Sequence, residues 1–203
     1  MAELAARRRE LLDSMNRQAI FEGAVSVMSE HGLNGLTMDR VAAAAGLAKG
    51  SLYNHFKNKQ ELLEFVHDRA VSPMHEILRE IAQSAHPAAA KLEQIARTWR
   101  EHLIRHHAVF EFLINDSMIR AILRDSEQSA RAKVIRQIAD VFQQGIDAGD
   151  FQPLDTRQLA EMFIGAAIGM VEQEYAEDRP RSVDAAAGPL VSVFLHGVEK
   201  RVS

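Results

Sequence analysis

Residues 37–56 read TMDRVAAAAGLAKGSLYNHF, two short helical stretches separated by a glycine. Thr37 is a good helix N-cap, and Asp39 places a negative charge in the first turn, where the helix dipole favours it. Gly46 ends this first helix, since glycine readily adopts the left-handed backbone of a tight turn. The stretch therefore predicts a helix-turn-helix, whose second helix runs from about Lys49 to Phe56.

The flanking sequence predicts further helices. From Ser14 to about His31 apolar residues recur at helical spacing, and Gly32 favours a stop. Asn58, with Glu61 three residues later, is a capping pair for a fourth helix. Beyond it Ala, Leu, Glu, Gln, Arg and Met dominate, and the alternation typical of β-strands is missing. We predict an all-α fold of about nine helices.

The predicted elements divide the chain into three parts. These are a flexible N-terminal arm (residues 1–13), a three-helix helix-turn-helix head (residues 14–58) and a helical body (residues 59–203). Residues 1–60 carry a net charge of +2 and the rest a net charge of −6. A basic head on an acidic body suits a protein that contacts phosphates at one end.

Composition excludes several classes of protein. The chain has no cysteine, so disulfides and thiolate chemistry are absent. No apolar run is long enough for a membrane span or a signal peptide, and we expect a cytoplasmic protein. Phosphate loops, dinucleotide glycine patterns and a Ser-His-Asp order are missing as well. We therefore expect neither an enzyme nor a bound cofactor.

The block from Thr37 through Leu63, above all KGSLYNHFKNKQELL at residues 49–63, resembles the DNA-binding domain of the TetR family of repressors. The resemblance implies an all-α homodimer whose recognition helices enter successive major grooves of a palindromic operator. It also implies a small-molecule ligand in the body that moves the fourth helix and releases the DNA. The ligand and the operator sequence are left open.

The resemblance also implies roles for individual residues. The phosphate contacts would be Thr37, Ser51, Tyr53 and Lys59. The residues near base edges would be Lys49, Gly50, Asn54 and His55. Asn54 and Met38 depart from the family pattern, so no operator preference can be transferred. For Tyr53 and His55, simple packing is the alternative.

Aromatic, Met and polar side chains on the body helices are candidates for an apolar ligand pocket with polar anchors. They are Trp99, His102, His106, Phe110, Asn115, Met118, Met162, Phe163 and Tyr175. The alternative is that most of them pack in the core.

Two body helices are candidates for a dimer interface. Asp155 is the predicted cap of one, which carries the small residues Gly165 and Gly169. The last helix is too apolar for a free surface, with Val191, Phe194, Leu195 and Val198. Together they predict a four-helix bundle across a two-fold axis, with burial inside one subunit as the alternative.

The histidines suggest a second class of function. His102 and His106 are one turn apart on a helix, with His107 adjacent and Glu111 a turn later, a spacing that can hold a divalent ion. A single Glu64-x-x-His67 also matches half of a di-iron signature. A helical metal-binding protein or metalloenzyme is therefore the alternative, although we expect no metal.

Overall fold

The computed structural model describes residues 2–106, 109–110 and 121–198. Within these ranges the chain is helical apart from its connections and contains no β-strand, which confirms the predicted all-α class. The helices are α1 (Ala2–Gly35), α2 (Met38–Ala44), α3 (Lys49–His55), α4 (Lys59–Gln83), α5 (Ala88–Arg105), α6 (Arg124–Asp147), α7 (Thr156–Glu177) and α8 (Val183–Val198). In the described part of the chain, none of them is long and apolar enough to span a membrane.

Helix α1 is longer than the sequence predicted. It begins at Ala2 rather than Ser14, so the described residues of the expected flexible arm are helical. Leu4 and Leu11 are 75% and 59% exposed, and this extension therefore lacks the buried face whose periodicity would have revealed it. The predicted break at Gly32 is confirmed by its φ of 65°, after which a last turn continues to Gly35.

The predicted helix caps are present. Thr37 Oγ1 accepts the backbone N–H three residues later at 3.3 Å, and Asp155 Oδ1 does the same at 3.0 Å. Asn58 Oδ1 accepts the N–H of Glu61 at 2.9 Å, while Glu61 Oε2 accepts the N–H of Lys57 at 2.8 Å. These two hydrogen bonds fix the start of α4, with Glu61 reaching the residue before the Asn58 cap.

The chain forms two compact units, the first comprising Met1–Ala70 and Ala108–Arg124. Its core contains the fully buried Ile20 of α1 and Leu52 of α3. Gly23 lets α1 approach α2, because a Cβ there would lie 2.9 Å from the backbone nitrogen of Ala45. The first unit extends past the predicted head, which ended at residue 58, into the first half of α4. The assignment of domains to functions stays a prediction.

The second unit comprises Val71–His107 and Asp125–Ser203. Its core contains Phe142 at its centre, with the rings of Phe151, Phe163 and Phe194 around it. Phe151 folds back from the loop after α6 onto Gly145, where a Cβ would stand 2.2 Å from the ring. Helix α8 packs against α5 and α7.

Candidate functional site

The outer face of α3 carries four of the eight predicted DNA-contacting residues. Lys49, Gly50 and Asn54 are exposed, and Tyr53 is 44% exposed. No atom lies within 4 Å of the position that a Cβ would take at Gly50. Leu52 is fully buried, and it fixes this short helix on the core while the neighbouring side chains point outward.

Lys49 is joined to α2 by an ion pair. Its Nζ lies 2.8 Å from Asp39 Oδ1 and 6.0 Å from the centre of the Tyr53 ring. The hydrogen bond to Asp39 raises the pKa of Lys49, so the ammonium stays charged. Both side chains are well exposed, and water screens their attraction. The lysine can therefore exchange its partner for a phosphate at low cost.

His55 faces α1 instead of an outer surface. Its side chain is 12% exposed, and its Nδ1 lies 3.4 Å from Asp13 Oδ1. Asp13 in turn accepts a hydrogen bond from Arg17 Nε at 3.1 Å, and the Arg17 guanidinium lies over the ring of Phe56. This chain of contacts favours the packing alternative for His55.

Lys59 is also engaged within the chain. Its Nζ donates to the carbonyl oxygen of Leu33 at 2.8 Å, at the end of α1, and its side chain is half-buried. Thr37 is exposed, although its hydroxyl already caps α2. The Lys59 ammonium has three hydrogens to donate, so it can donate to a phosphate as well as to the carbonyl oxygen of Leu33.

The same helices match a known family. Residues 20–66 match the family described as bacterial regulatory proteins, tetR family. Residues 20–66 are thus a DNA-binding domain of the TetR type. The chain is a transcriptional regulator with this domain at its N-terminal end, and its relatives are regulators rather than enzymes.

Full-length relatives extend the similarity beyond the DNA-binding domain. The repressor KstR2 of Mycobacterium tuberculosis is 25% identical over 186 residues, 91% of this chain and 93% of KstR2. SmeT, the repressor of a Stenotrophomonas maltophilia multidrug efflux pump, solved as a triclosan complex, superposes with a TM-score of 0.80 at 20% identity. That match covers 91% of this chain and 92% of SmeT. The fatty acid degradation regulator FadR of Bacillus halodurans gives a TM-score of 0.76 at 22% identity, over 92% and 97% of the two chains. The fold shared with these regulators thus covers about nine tenths of the chain.

The second unit contains two apolar clefts, a larger one beside Phe163 and a smaller one beside Arg100, whose volumes of about 330 and 260 Å³ include space open to solvent. Trp99, Ala96, Ala167 and Leu190 line both of them. Of the predicted ligand residues, Trp99 and Phe163 are among their linings.

Other predicted ligand residues lie elsewhere. Met162 is 61% exposed on α7, and Phe110 packs against the core of the first unit. Tyr175 is half-buried, and neither it nor the two predicted histidines is among the residues that line these two clefts. Asn115 and Met118 lie outside the described residues.

A buried ion pair that the sequence did not predict lies beside the smaller cleft. Arg100 Nη2 donates to Glu174 Oε2, and to the carbonyl oxygen of Arg181 at 2.6 Å. Glu174 Oε2 also accepts the backbone N–H of Arg181 at 3.1 Å. The available signal was a charged residue continuing an apolar helical stripe, Arg100 after Ala96 on α5 and Glu174 after Val171 on α7.

The predicted dimer residues fall into two groups. Gly165 and Gly169 are exposed on α7, with open space where a Cβ would be. Val191 is 5% exposed in the core of its own chain, so its burial needs no partner. Phe194 and Leu195 are half-buried and pack against the same core. Val198 is the last described residue of α8.

His102 and His106 lie one turn apart, their ring centres separated by 4.5 Å. Burial, and secondarily the charge of Arg105, lower the pKa of His106. In the part of the chain that is described, no cluster of three or more His, Asp or Glu side chains forms a metal site. His107 and Glu111, the other residues of the metal hypothesis, lie outside the described residues.

Proposed function

We propose that this protein is a homodimeric repressor that binds a palindromic operator through α3 and releases it when a small molecule binds the body. The observation that carries the proposal is the outer face of α3. Lys49, Gly50, Tyr53 and Asn54 are exposed together on a helix anchored by the buried Leu52. Such a face offers a charge, a hydroxyl, an amide and a bare backbone to one groove.

The contacts of the other candidates refine the assignment. Thr37 and Ser51 supply hydroxyls to phosphates, while Lys59 contacts a phosphate alongside Leu33. His55 supports the helix through Asp13 rather than reading bases. Within this proposal Asn54 carries the sequence preference, because its amide can form paired hydrogen bonds with a base edge.

The proposed release of DNA is supported by the apolar clefts of the second unit and by the relatives. SmeT was solved with triclosan, and FadR is described as a regulator of fatty acid degradation. Triclosan is a largely apolar small molecule, and a molecule of that kind suits a cleft lined by Trp99 and Leu190. The proposed dimer rests on the exposed small residues of α7.

Fluorescence anisotropy with labelled DNA tests the proposal. The duplexes are the region upstream of the protein's own gene and a shuffled sequence of equal length. We expect tighter binding to the upstream region and a steep loss of affinity with salt, since neutralised phosphates release counterions. Asn54→Ala should change the ratio between duplexes, whereas Lys59→Ala, at a proposed phosphate contact, should weaken both similarly. Equal affinity for both duplexes at all salt concentrations would contradict the proposal.

A further inference from the structure

The buried ion pair of Arg100 and Glu174 is incompletely satisfied. Both residues are 6% exposed, and together they tie α5 and α7 to the backbone of Arg181. That network uses one guanidinium nitrogen and one carboxylate oxygen. Arg100 Nε and Glu174 Oε1 are buried, and neither has a hydrogen-bond partner among the described residues. Leaving a buried polar group unpaired is costly, so each of these two atoms retains hydrogen-bonding capacity that the fold itself does not use.

The two atoms belong to residues that line an otherwise apolar cleft. The remaining lining of the smaller cleft is Ala, Val, Leu, Met and Trp. It shares four lining residues with the larger cleft. The apolar part of a ligand would therefore contact hydrophobic side chains of α5, α7 and α8. Its polar end would lie beside Arg100 and Glu174, the charged residues among those that line the cleft.

The charge of the pair selects the ligand's head group. Arg100 and Glu174 cancel one another, so a carboxylate would add an unbalanced negative charge and an ammonium an unbalanced positive one. Burying either unbalanced charge away from water is unfavourable. A neutral group with one donor and one acceptor fits, the acceptor taking the Arg100 Nε–H and the donor facing Glu174 Oε1.

We propose that the cleft beside Arg100 and Glu174 binds a small amphiphile with an apolar body and a neutral, hydrogen-bonding head such as an amide. This inference rests on the proposed function, for it names the chemical class of the effector. The ion pair acts as the polar anchor and as a filter against charged lipids.

Trp99 is the only tryptophan of the chain and lines both clefts, so its fluorescence reports occupancy. The probes are octanamide, octanoate and octylammonium at pH 8, which share one alkyl chain and differ in charge. We expect saturable binding of octanamide, at least about ten-fold tighter than that of either charged probe. Equal affinities, or no saturable response to octanamide, would overturn the proposal.

Glu174→Gln tests the anchor directly. It leaves the Arg100 cation unbalanced, so the preference should invert in favour of octanoate. Glu172→Gln makes the same change at an exposed position of the same helix and should leave the ranking intact. An unchanged ranking in folded Glu174→Gln overturns the proposal. If that variant does not fold, the ranking in the wild-type chain decides.

A separate measurement distinguishes this inference from the proposed function. Octanamide is added to the complex of the full chain with its upstream DNA. Release of the DNA at the concentrations that saturate Trp99 supports both proposals. Selective binding of the amide without release supports the cleft chemistry and contradicts the effector role. Specific DNA binding in a chain that ignores octanamide contradicts the cleft chemistry alone.

Discussion

Lys49 Nζ lies 2.8 Å from Asp39 Oδ1, so the first residue of α3 is joined to the first turn of α2. The contact spans the turn of the helix-turn-helix on an exposed face. Asp39 holds the lysine side chain in place, but its negative charge also stands where phosphates would approach. Within the proposed function, the charge of Asp39 would therefore lower the affinity for DNA.

Replacing Asp39 should strengthen DNA binding. Asp39→Asn frees the Lys49 ammonium and removes a repulsive charge, and we expect roughly three- to ten-fold tighter binding to every duplex at low salt. Anisotropy titrations measure the change. Asp68→Asn, an exposed aspartate on α4, alters the net charge equally and serves as the control. An equal gain in the control would assign the effect to overall charge and not to the pair.

The substitution Gly50→Ala should change DNA affinity without lowering the stability of the fold. A Cβ meets nothing at this position, so Gly50→Ala should leave the melting temperature unchanged or raise it. If the α3 backbone approaches the duplex there, the added methyl group should weaken binding by roughly ten-fold.

Gly23→Ala provides the contrast to that variant. Its Cβ would stand 2.9 Å from the nitrogen of Ala45, so the melting temperature should fall, with overpacking costing about 1–3 kcal/mol. Thermal denaturation of both variants measures the melting temperatures, and anisotropy titrations measure their affinities for DNA. Undiminished DNA binding by Gly50→Ala would remove Gly50 from the interface.

Local chemistry explains what the sequence could predict. Thr37, Asn58 and Asp155 cap their helices through the backbone N–H three residues later, so the signal lies within four consecutive residues. Gly46, with φ of 68°, ends α2 for an equally local reason. These elements follow from side chains and backbone that are adjacent in the chain.

Distant contacts explain the rest. His55 meets Asp13, and Lys59 reaches Leu33, which lies 26 residues earlier. The partner of Arg100 is 74 residues away on α7. A motif identifies α3 as the exposed helix, but it does not reveal which of its side chains another helix will occupy. The exposed face of α3 could therefore be predicted in outline, while the buried pair of Arg100 and Glu174 could not.

Protonation of His106 should couple stability to pH. Its pKa lies below the ordinary 6.5 because of burial and the Arg105 charge. The unfolded chain therefore takes up a proton at higher pH than the folded chain, and stability is lost as the pH falls below about 6.5. His106→Asn cannot titrate, so its melting temperature should fall less than that of the wild type between pH 7.5 and 5.5. His86→Asn, at an exposed position, should follow the wild type. Identical pH profiles for all three chains would contradict the assignment.

The exposed face of α7 should hold the dimer together. Met162 is 61% exposed and lies in one helical stripe with the exposed Gly165 and Gly169. Met162→Lys changes no buried contact within the chain, so each subunit should fold normally. In a two-fold interface the substitution buries two unpaired ammonium groups, which should weaken the dimer at least about 100-fold, because each costs several kcal/mol.

Sedimentation equilibrium measures that weakening, and circular dichroism confirms that the subunit stays folded. Met15→Lys makes the same change at a 65%-exposed methionine of α1 and should remain dimeric. Because a dimer presents two α3 helices at a fixed separation, Met162→Lys should also lose the preference for palindromic DNA over a single half-site. A variant that stays dimeric at all concentrations would show that the subunits meet through another surface.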